Sequence, residues 1–291
     1  MTHTLENEQL RAQVNPRGAE LVSLQARQTG LEYLWQADPA VWGRHAPVLF
    51  PIVGKLRNNQ YAWNGESFSL PQHGFARDGD FEVLDQTPDR LVLRLQADAA
   101  SRRVYPFEFE LRITHALYGN RLDVGYEVIN PGDGDLYFSI GAHPGFICPL
   151  GEDEVFEDYF LEFDQPETLD RHLIEGGLFN GKTEPLLRDS RIIPLQRSLF
   201  EQDAIVVKGF RSSSLTLKSR KSTPSVKVAL AGFPYLGIWT KEAPARFVCI
   251  EPWYGLADRT DASGQLSDKE GIRMVPTGGR FHCQHTVEVT P

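Results

Sequence analysis

Alternation with a period of two dominates the chain. In "FEFELRITH", residues 107–115, Phe107, Phe109, Leu111 and Ile113 alternate with Glu108, Glu110, Arg112 and Thr114, as a strand with one face on a core and one in water requires. "RLDVGYEVIN", 121–130, repeats the pattern with Leu122, Val124, Tyr126 and Val128. Tyr118-Gly119-Asn120 between the two supplies the chemistry of a hairpin turn. Further strands are expected over 90–98, 135–142, 159–164, 214–219, 225–232, 235–240, 246–253 and 281–289, parted by turn-forming clusters such as "NPGDGD" and "TPDR". One short helix is expected at "PAVWGRHA", 39–46, and roughly 165–200 reads as a long, ordered but irregular excursion. No βαβ alternation occurs, so the expected fold class is all-β, a large antiparallel β-sandwich. No composition shift, linker or internal repeat divides the chain, and a single domain over 1–291 is the simplest organisation.

The 291 residues can bury a large core. With 30 Lys+Arg against 39 Asp+Glu, the formal charge of −9 repels a phosphate backbone, which argues against nucleic acid as a partner. A local group of cations can still hold a small anion within a Debye length, roughly 8–10 Å. Cys148, Cys249 and Cys283 lack paired spacing, so neither a disulfide framework nor a zinc ribbon is expected and a cytoplasmic setting fits. No window approaches the ~18 apolar residues of a membrane span, and the N-terminus has no signal-peptide core.

Reactive side chains stand beside Gly, Pro or an aromatic at four places where a strand should meet a loop. These are "PQHGFARD" with His73 and Arg77, "SIGAHPGF" with His143, "FEQDAIVV" with Asp203, and "FVCIEPWYG" with Glu251. Loops on a rigid sandwich are where sites are usually built. Beside its glycine, His73 serves equally to cap a turn or to meet a ligand. Pro144 restricts His143 to extended backbone, and small neighbours leave a ligand room to approach. Glu251 shares a strand face with 247 and 249. In that apolar run its carboxylate is either paired with a buried donor or raised in pKa toward neutrality, the tuning of a general base. Read locally, Asp203 is a turn residue.

Arg44, Lys55, Arg57 and Arg77 form either a solvated basic face or a set of donors for an oxygen-rich ligand. Trp239, Trp253 and Tyr254 either fill the core or stack on a sugar ring, and Trp253, two residues from Glu251, is the candidate wall. His282, Cys283 and His285 face alternate sides of a strand, which argues against a closed metal site. Gly-rich phosphate loops and a nucleophile elbow are absent from the sequence. Neither a metal nor a cofactor is expected.

In order, "FPIVGKL", "LPQHGFARD", "GAHPGF", "FEQDAIVV" and "CIEPWYG" resemble the aldose 1-epimerase, or galactose mutarotase-like, family, specifically its short LacX-like branch. The resemblance spans nearly the whole chain. It implies a supersandwich β fold, no cofactor, and interconversion of the α and β anomers of a free sugar. By resemblance His143 is the general acid, Glu251 the general base, His73 the second histidine near the ring oxygen, and Asp203 and Arg77 sugar contacts.

The chemistry asks for these residue types on its own account. Mutarotation removes the proton of the C1 hydroxyl while protonating the ring oxygen, which needs one base and one acid matched to neutral pH. Convergence of Lys55, Arg57 and Arg77 would admit a sugar phosphate, so hexose-6-phosphate 1-epimerase is the first alternative. A carbohydrate-binding module without turnover is the second, and the coexistence of His143 and Glu251 counts against it. A glycosidase would need a second carboxylate, for which Asp203 is the one contender. Monomer and homodimer are both compatible with the sequence.

Overall fold

The computed structural model describes all 291 residues. One 15-stranded antiparallel sheet carries most of the chain. From one edge its order runs Val48–Leu49, Ile140–Ala142, Phe247–Tyr254, Tyr235–Trp239, Ile205–Lys208 and Tyr159–Glu175. It continues through Ser214–Ser219, Ser225–Ala229, Arg280–Thr290, Arg121–Ile129, Glu110–Tyr118, Arg90–Gln96 and Glu82–Gln86. The expected hairpin is present, with Arg121 opposite Tyr118 and Val124 opposite His115. Its alternation buries Leu111, Ile113, Leu122, Val124, Tyr126 and Val128. No helix is long and apolar enough to cross a membrane.

Three expectations need correction. The stretch 165–200 is not irregular: Tyr159–Glu175 and Leu178–Pro194 are two 17-residue strands of one hairpin, turning at Gly176 and Gly177. Register shifts between Glu162 and Glu167, on either side of Leu169, and between His172 and Ile174 break its alternation, because each bulge moves the following side chains to the other face. Residues 39–46 are not helical. Trp42 donates its backbone N–H to Asp38 and its ring then packs on Phe247 and His143, so one turn forms and stops. The α-helix present, Ala99–Val104, starts where the Asp98 carboxylate accepts the N–H of Ser101. The segment 135–142 divides at Ser139: Leu136–Phe138 pairs with Arg273–Val275, and Ile140–Ala142 joins the main sheet.

Beneath the sheet end that carries the four reactive stretches lies an aromatic core of Phe50, Phe75, Tyr105, Phe109 and Phe138. The backbone carbonyl of Phe50 accepts the N–H groups of Phe75 and Ala76 at 3.0 and 3.1 Å, tying "HGFAR" to that core. A hydrophobic anchor under a polar turn fixes the turn without using its side chains.

His115 and His285 are both buried opposite Val124 in the register of adjacent strands. Burial lowers their pKa values, His115 to about 4 despite its contact with the Ala19 carbonyl and His285 to about 3. A lowered folded pKa means that the stabilisation is full above the unfolded value near 6.5 and is lost as pH falls through the folded one. His285→Phe keeps a ring against Tyr126, which stacks on His285 at 5.8 Å, and removes the titration. Urea unfolding of the variant is expected to fall less steeply with acidification than wild type, by up to about 1.4 kcal/mol per pH unit. Parallel curves would show that His285 does not take up a proton on unfolding.

Candidate active site

The turn at 70–78 places the first histidine. His73 and Gly74 both have left-handed backbone, with φ of 67° and 70°. A Cβ on residue 74 would stand 2.3 Å from the Phe50 carbonyl oxygen, so only glycine permits the crossing. His73 donates its backbone N–H to the Gly54 carbonyl at 2.8 Å, and its Nδ1 accepts the Gly54 N–H at 3.2 Å. The ring proton of the neutral form therefore resides on Nε2; the Gln72 side-chain amide nitrogen 3.2 Å away is also a donor and cannot accept it, which leaves the Nε2–H for a ligand. Strain of this kind persists where surrounding bonds over-determine it, often at functional sites.

Two strands of the main sheet place the acid and base candidates. Glu251 lies opposite Gly237 in the register of Tyr235–Trp239, with its side chain 1% exposed. His143 follows Ile140–Ala142, and its Nε2 is 3.3 Å from Glu251 Oε2. Trp42 stacks on the imidazole at 5.0 Å, Trp239 meets it edge-on at 5.7 Å and His73 at 5.6 Å. The small neighbours of His143 make room for an indole rather than directly for a ligand. A Cβ on Gly141 or Gly237 would lie 2.6 or 2.4 Å from the Trp253 ring.

Burial drives the two groups in opposite directions. It raises Glu251 well above the ordinary carboxylate value; the Asp203 charge adds to this, and the Trp253 N–H, aimed at the carboxyl without completing a hydrogen bond, opposes it. Burial lowers His143 to about 3, assisted by Arg77 and Arg44. Burial likewise lowers His73, with His143, Arg77 and Arg44 adding to the effect. The contact between His143 and Glu251 is thus no ordinary ion pair: burial favours the arrangement in which the pair carries one proton, a neutral carboxylic acid beside a neutral imidazole.

A pocket of about 270 Å³ opens over this pair. It brings together His73, Arg77, His143, Asp203, Glu251 and Trp253, residues drawn from four separate segments. Asp203 sits at its mouth with φ of 75°, its Oδ1 accepting the N–H of Ala204. The Arg77 guanidinium donates to the Gln72 carbonyl at 2.7 Å, and its buried Nε, 3.9 Å from the Asp78 carboxylate, completes no hydrogen bond. Eight buried side-chain polar atoms complete no hydrogen bond, and four of them, Arg77 Nε, His143 Nδ1, Glu251 Oε2 and Trp253 Nε1, belong to this pocket. Native interiors seldom leave such atoms unsatisfied, so their clustering marks a place for a polar ligand.

Two candidates lie elsewhere. Lys55 and Arg57 do not line the pocket. The Lys55 amine donates to the Gly176 carbonyl at the hairpin tip and the Arg57 guanidinium to the Ala262 carbonyl, so loop closure uses both cations. Arg44 pairs with Asp78 at 2.8 Å. Conversely, Trp42, Gln72, Ile174 and Phe179 line the pocket without having been singled out. Gln72 adjoins His73 in the sequence and was open to notice. Ile174 and Phe179 were hidden in the bulged hairpin.

The family profile described as aldose 1-epimerase matches residues 1–271, and the chain belongs to that family. It is 35% identical over 284 residues to the protein LacX of Lactococcus lactis subsp. lactis, covering 94% of this chain and 95% of the relative. Among solved structures it is similar to a galactose mutarotase related enzyme from Lactobacillus acidophilus, with 36% identity, a TM-score of 0.96 and coverage of 100% and 98% of the two chains. A galactose mutarotase-like protein from Lactobacillus casei gives 32% identity and a TM-score of 0.94 over the full length of both chains. The fold is the galactose mutarotase-like β-sandwich.

A buried carboxyl with raised pKa lowers stability at high pH. Its contribution is fully present below the unfolded value near 4.5 and is lost as pH rises toward the folded value. Glu251→Gln is therefore expected to be more stable than wild type by about 1–3 kcal/mol near pH 8 and little different near pH 4. Thermal unfolding at the two pH values measures this, and a variant less stable at pH 8 would contradict the assignment.

Proposed function

We propose that the protein is an aldose 1-epimerase acting on an unphosphorylated sugar, with His143 as general acid, Glu251 as general base, and His73, Arg77, Asp203 and Trp253 as sugar contacts. The observation that carries the reading is the 3.3 Å contact of two oppositely shifted groups, His143 and Glu251, in a pocket of single-sugar size. Small-molecule sites generally span roughly 300–1,000 Å³ for drug-sized ligands, so about 270 Å³ suits a monosaccharide better than a chain.

The shared proton fits the reaction. O1 and the ring oxygen are bonded to the same carbon, so an acid and a base in mutual contact can serve both. Sugar hydroxyls entering the pocket solvate charge and allow the ionised arrangement, glutamate beside imidazolium. Glu251 then takes the proton of the C1 hydroxyl while His143 gives its proton to the ring oxygen, the C1–O5 bond breaks and the aldehyde forms. The enzyme is left as carboxylic acid and neutral imidazole, the arrangement that burial favours. Rotation about C1–C2 and the reverse transfers close the ring on the other face, and no net proton is gained or lost. The His73 Nε2–H stands beside this pair and donates to a sugar oxygen, and Trp253 offers the ring an apolar wall.

Recognition of a phosphate by convergent cations is disfavoured, because Lys55 and Arg57 are engaged with main-chain carbonyls outside the pocket and Arg77 alone among these cations lines it. Polarimetry of α-glucose, α-galactose and glucose 6-phosphate, less the spontaneous rate, tests the reading. Acceleration of a free aldose above the phosphate is expected, and none with any aldose would overturn it. Glu251→Gln and His143→Asn are each expected to lower kcat/KM by on the order of 10²- to 10⁴-fold in folded protein. A near-wild-type rate in either variant removes that residue from the mechanism.

The one-proton state also predicts the pH profile. kcat/KM should hold a plateau across neutrality, with its acid limb set by the depressed His143, near 3, and its alkaline limb by the raised Glu251. An acid limb at the ordinary histidine value, about 6.5, would show that the two groups titrate independently.

A further inference from the structure

Behind one wall of the pocket lies a buried ion pair. Lys269 Nζ donates to Asp258 Oδ1 at 2.8 Å, with the two side chains 2% and 6% exposed. Ala257, next to Asp258, lines both the sugar-sized pocket and a smaller cavity of about 90 Å³ that Asp258 and Lys269 border. Removing two charges from water is unfavourable, and an apolar pair of similar volume is often as stable or more so. Stability alone therefore does not account for charges at this place, and the remaining bonds of Asp258 show what they hold.

Asp258 clamps three segments at once. Its second carboxylate oxygen accepts the Arg57 N–H at 2.9 Å, its own N–H donates to the Lys55 carbonyl at 2.8 Å, and its carbonyl accepts the Phe179 N–H at 2.9 Å. The first two bonds close the main chain of residues 55–57 around the aspartate. Gly54, the next residue back, holds His73 through both of its backbone groups. The third bond fixes Phe179, which lines the pocket from the hairpin. A charged acceptor makes shorter and stronger bonds to N–H groups than a neutral one, and Lys269 supplies the counter-charge that lets the carboxylate stay ionised without water.

We infer that Asp258 and Lys269 are positioning residues for the candidate active site, the carboxylate acting through the main chain of residues 55–57 and Gly54 to fix the ring and Nε2–H tautomer of His73. Neither residue touches the pocket's reacting pair. Their kinetic consequence rests on the sugar-pocket reading, whereas their effect on His73 does not.

The test compares Asp258→Asn/Lys269→Met, which leaves no lone buried charge, with Lys269→Arg, which keeps the charge. Isotope-edited NMR of the His73 ring nitrogens reports the tautomer, and polarimetry reports kcat and KM. In the double variant the thermal transition is expected to stay near that of wild type, and the His73 signals to move toward an average of the two tautomers. KM should rise about tenfold with a smaller change in kcat. Lys269→Arg should retain the wild-type tautomer. Unchanged His73 nitrogen signals in a folded double variant would overturn the inference. A double variant that does not fold would overturn it as well, since the pair would then be a stability element. If no aldose is turned over by wild type, the sugar reading fails, while the NMR comparison still decides the role of the pair.

Discussion

A carboxyl group held in the middle of an apolar strand, with no lysine or arginine in contact, is the condition on which the site depends. An isolated carboxylate buried this way is unfavourable by several kcal/mol. Glu251 meets the constraint by keeping or sharing a proton, and the nearest group able to take it is His143. The surroundings maintain that condition. Trp42 and Trp239 enclose the imidazole, Trp253 closes the carboxyl side, and the one arginine of the pocket spends a donor on the Gln72 carbonyl. A counter-charge in contact with Glu251 would lower its pKa and fix the proton on His143.

The β architecture supplies the precision this requires. Glu251 sits in a strand paired on both sides, with Gly237 opposite it and Gly141 opposite Trp253. Strand-borne groups are held more exactly than loop-borne ones, and pre-set dipoles need no reorganisation during reaction. His73, by contrast, is carried on a turn with left-handed backbone. It is held by Phe50 from below and Gly54 from the side, which replaces the rigidity a strand would give.

What the sequence disclosed follows the range of the interactions involved. Alternation is local, so the hairpin at 107–130 and the strand carrying Glu251 were readable, as was the apolar setting that raises that carboxyl. The His73 turn was marked by its glycine. Beyond the strand expected at 159–164 the long hairpin was not readable, because its bulges scramble the period that identifies strands. Trp42 was misassigned to a helix because its partners, His143 and Phe247, are distant in sequence. The cations misled for a related reason: sequence gives the charge of Lys55 and Arg57 but not the direction of their side chains, and carbonyls at 176 and 262 capture both.

That last point separates chemistry from selectivity. Glu251 and His143 are fixed by the central sheet, while Ile174 and Phe179 reach the pocket from the tip of the bulged hairpin. The tip is attached by the Lys55 amine on Gly176 and by main-chain bonds of Phe179 to Asp258 and Thr260. One of its bulges, between His172 and Ile174, falls immediately before the pocket-lining isoleucine. Moving a bulge by one residue would turn a different side chain inward and leave Glu251 and His143 where they are. The part of the chain hardest to read is thus the part free to reshape the pocket wall without moving Glu251 or His143.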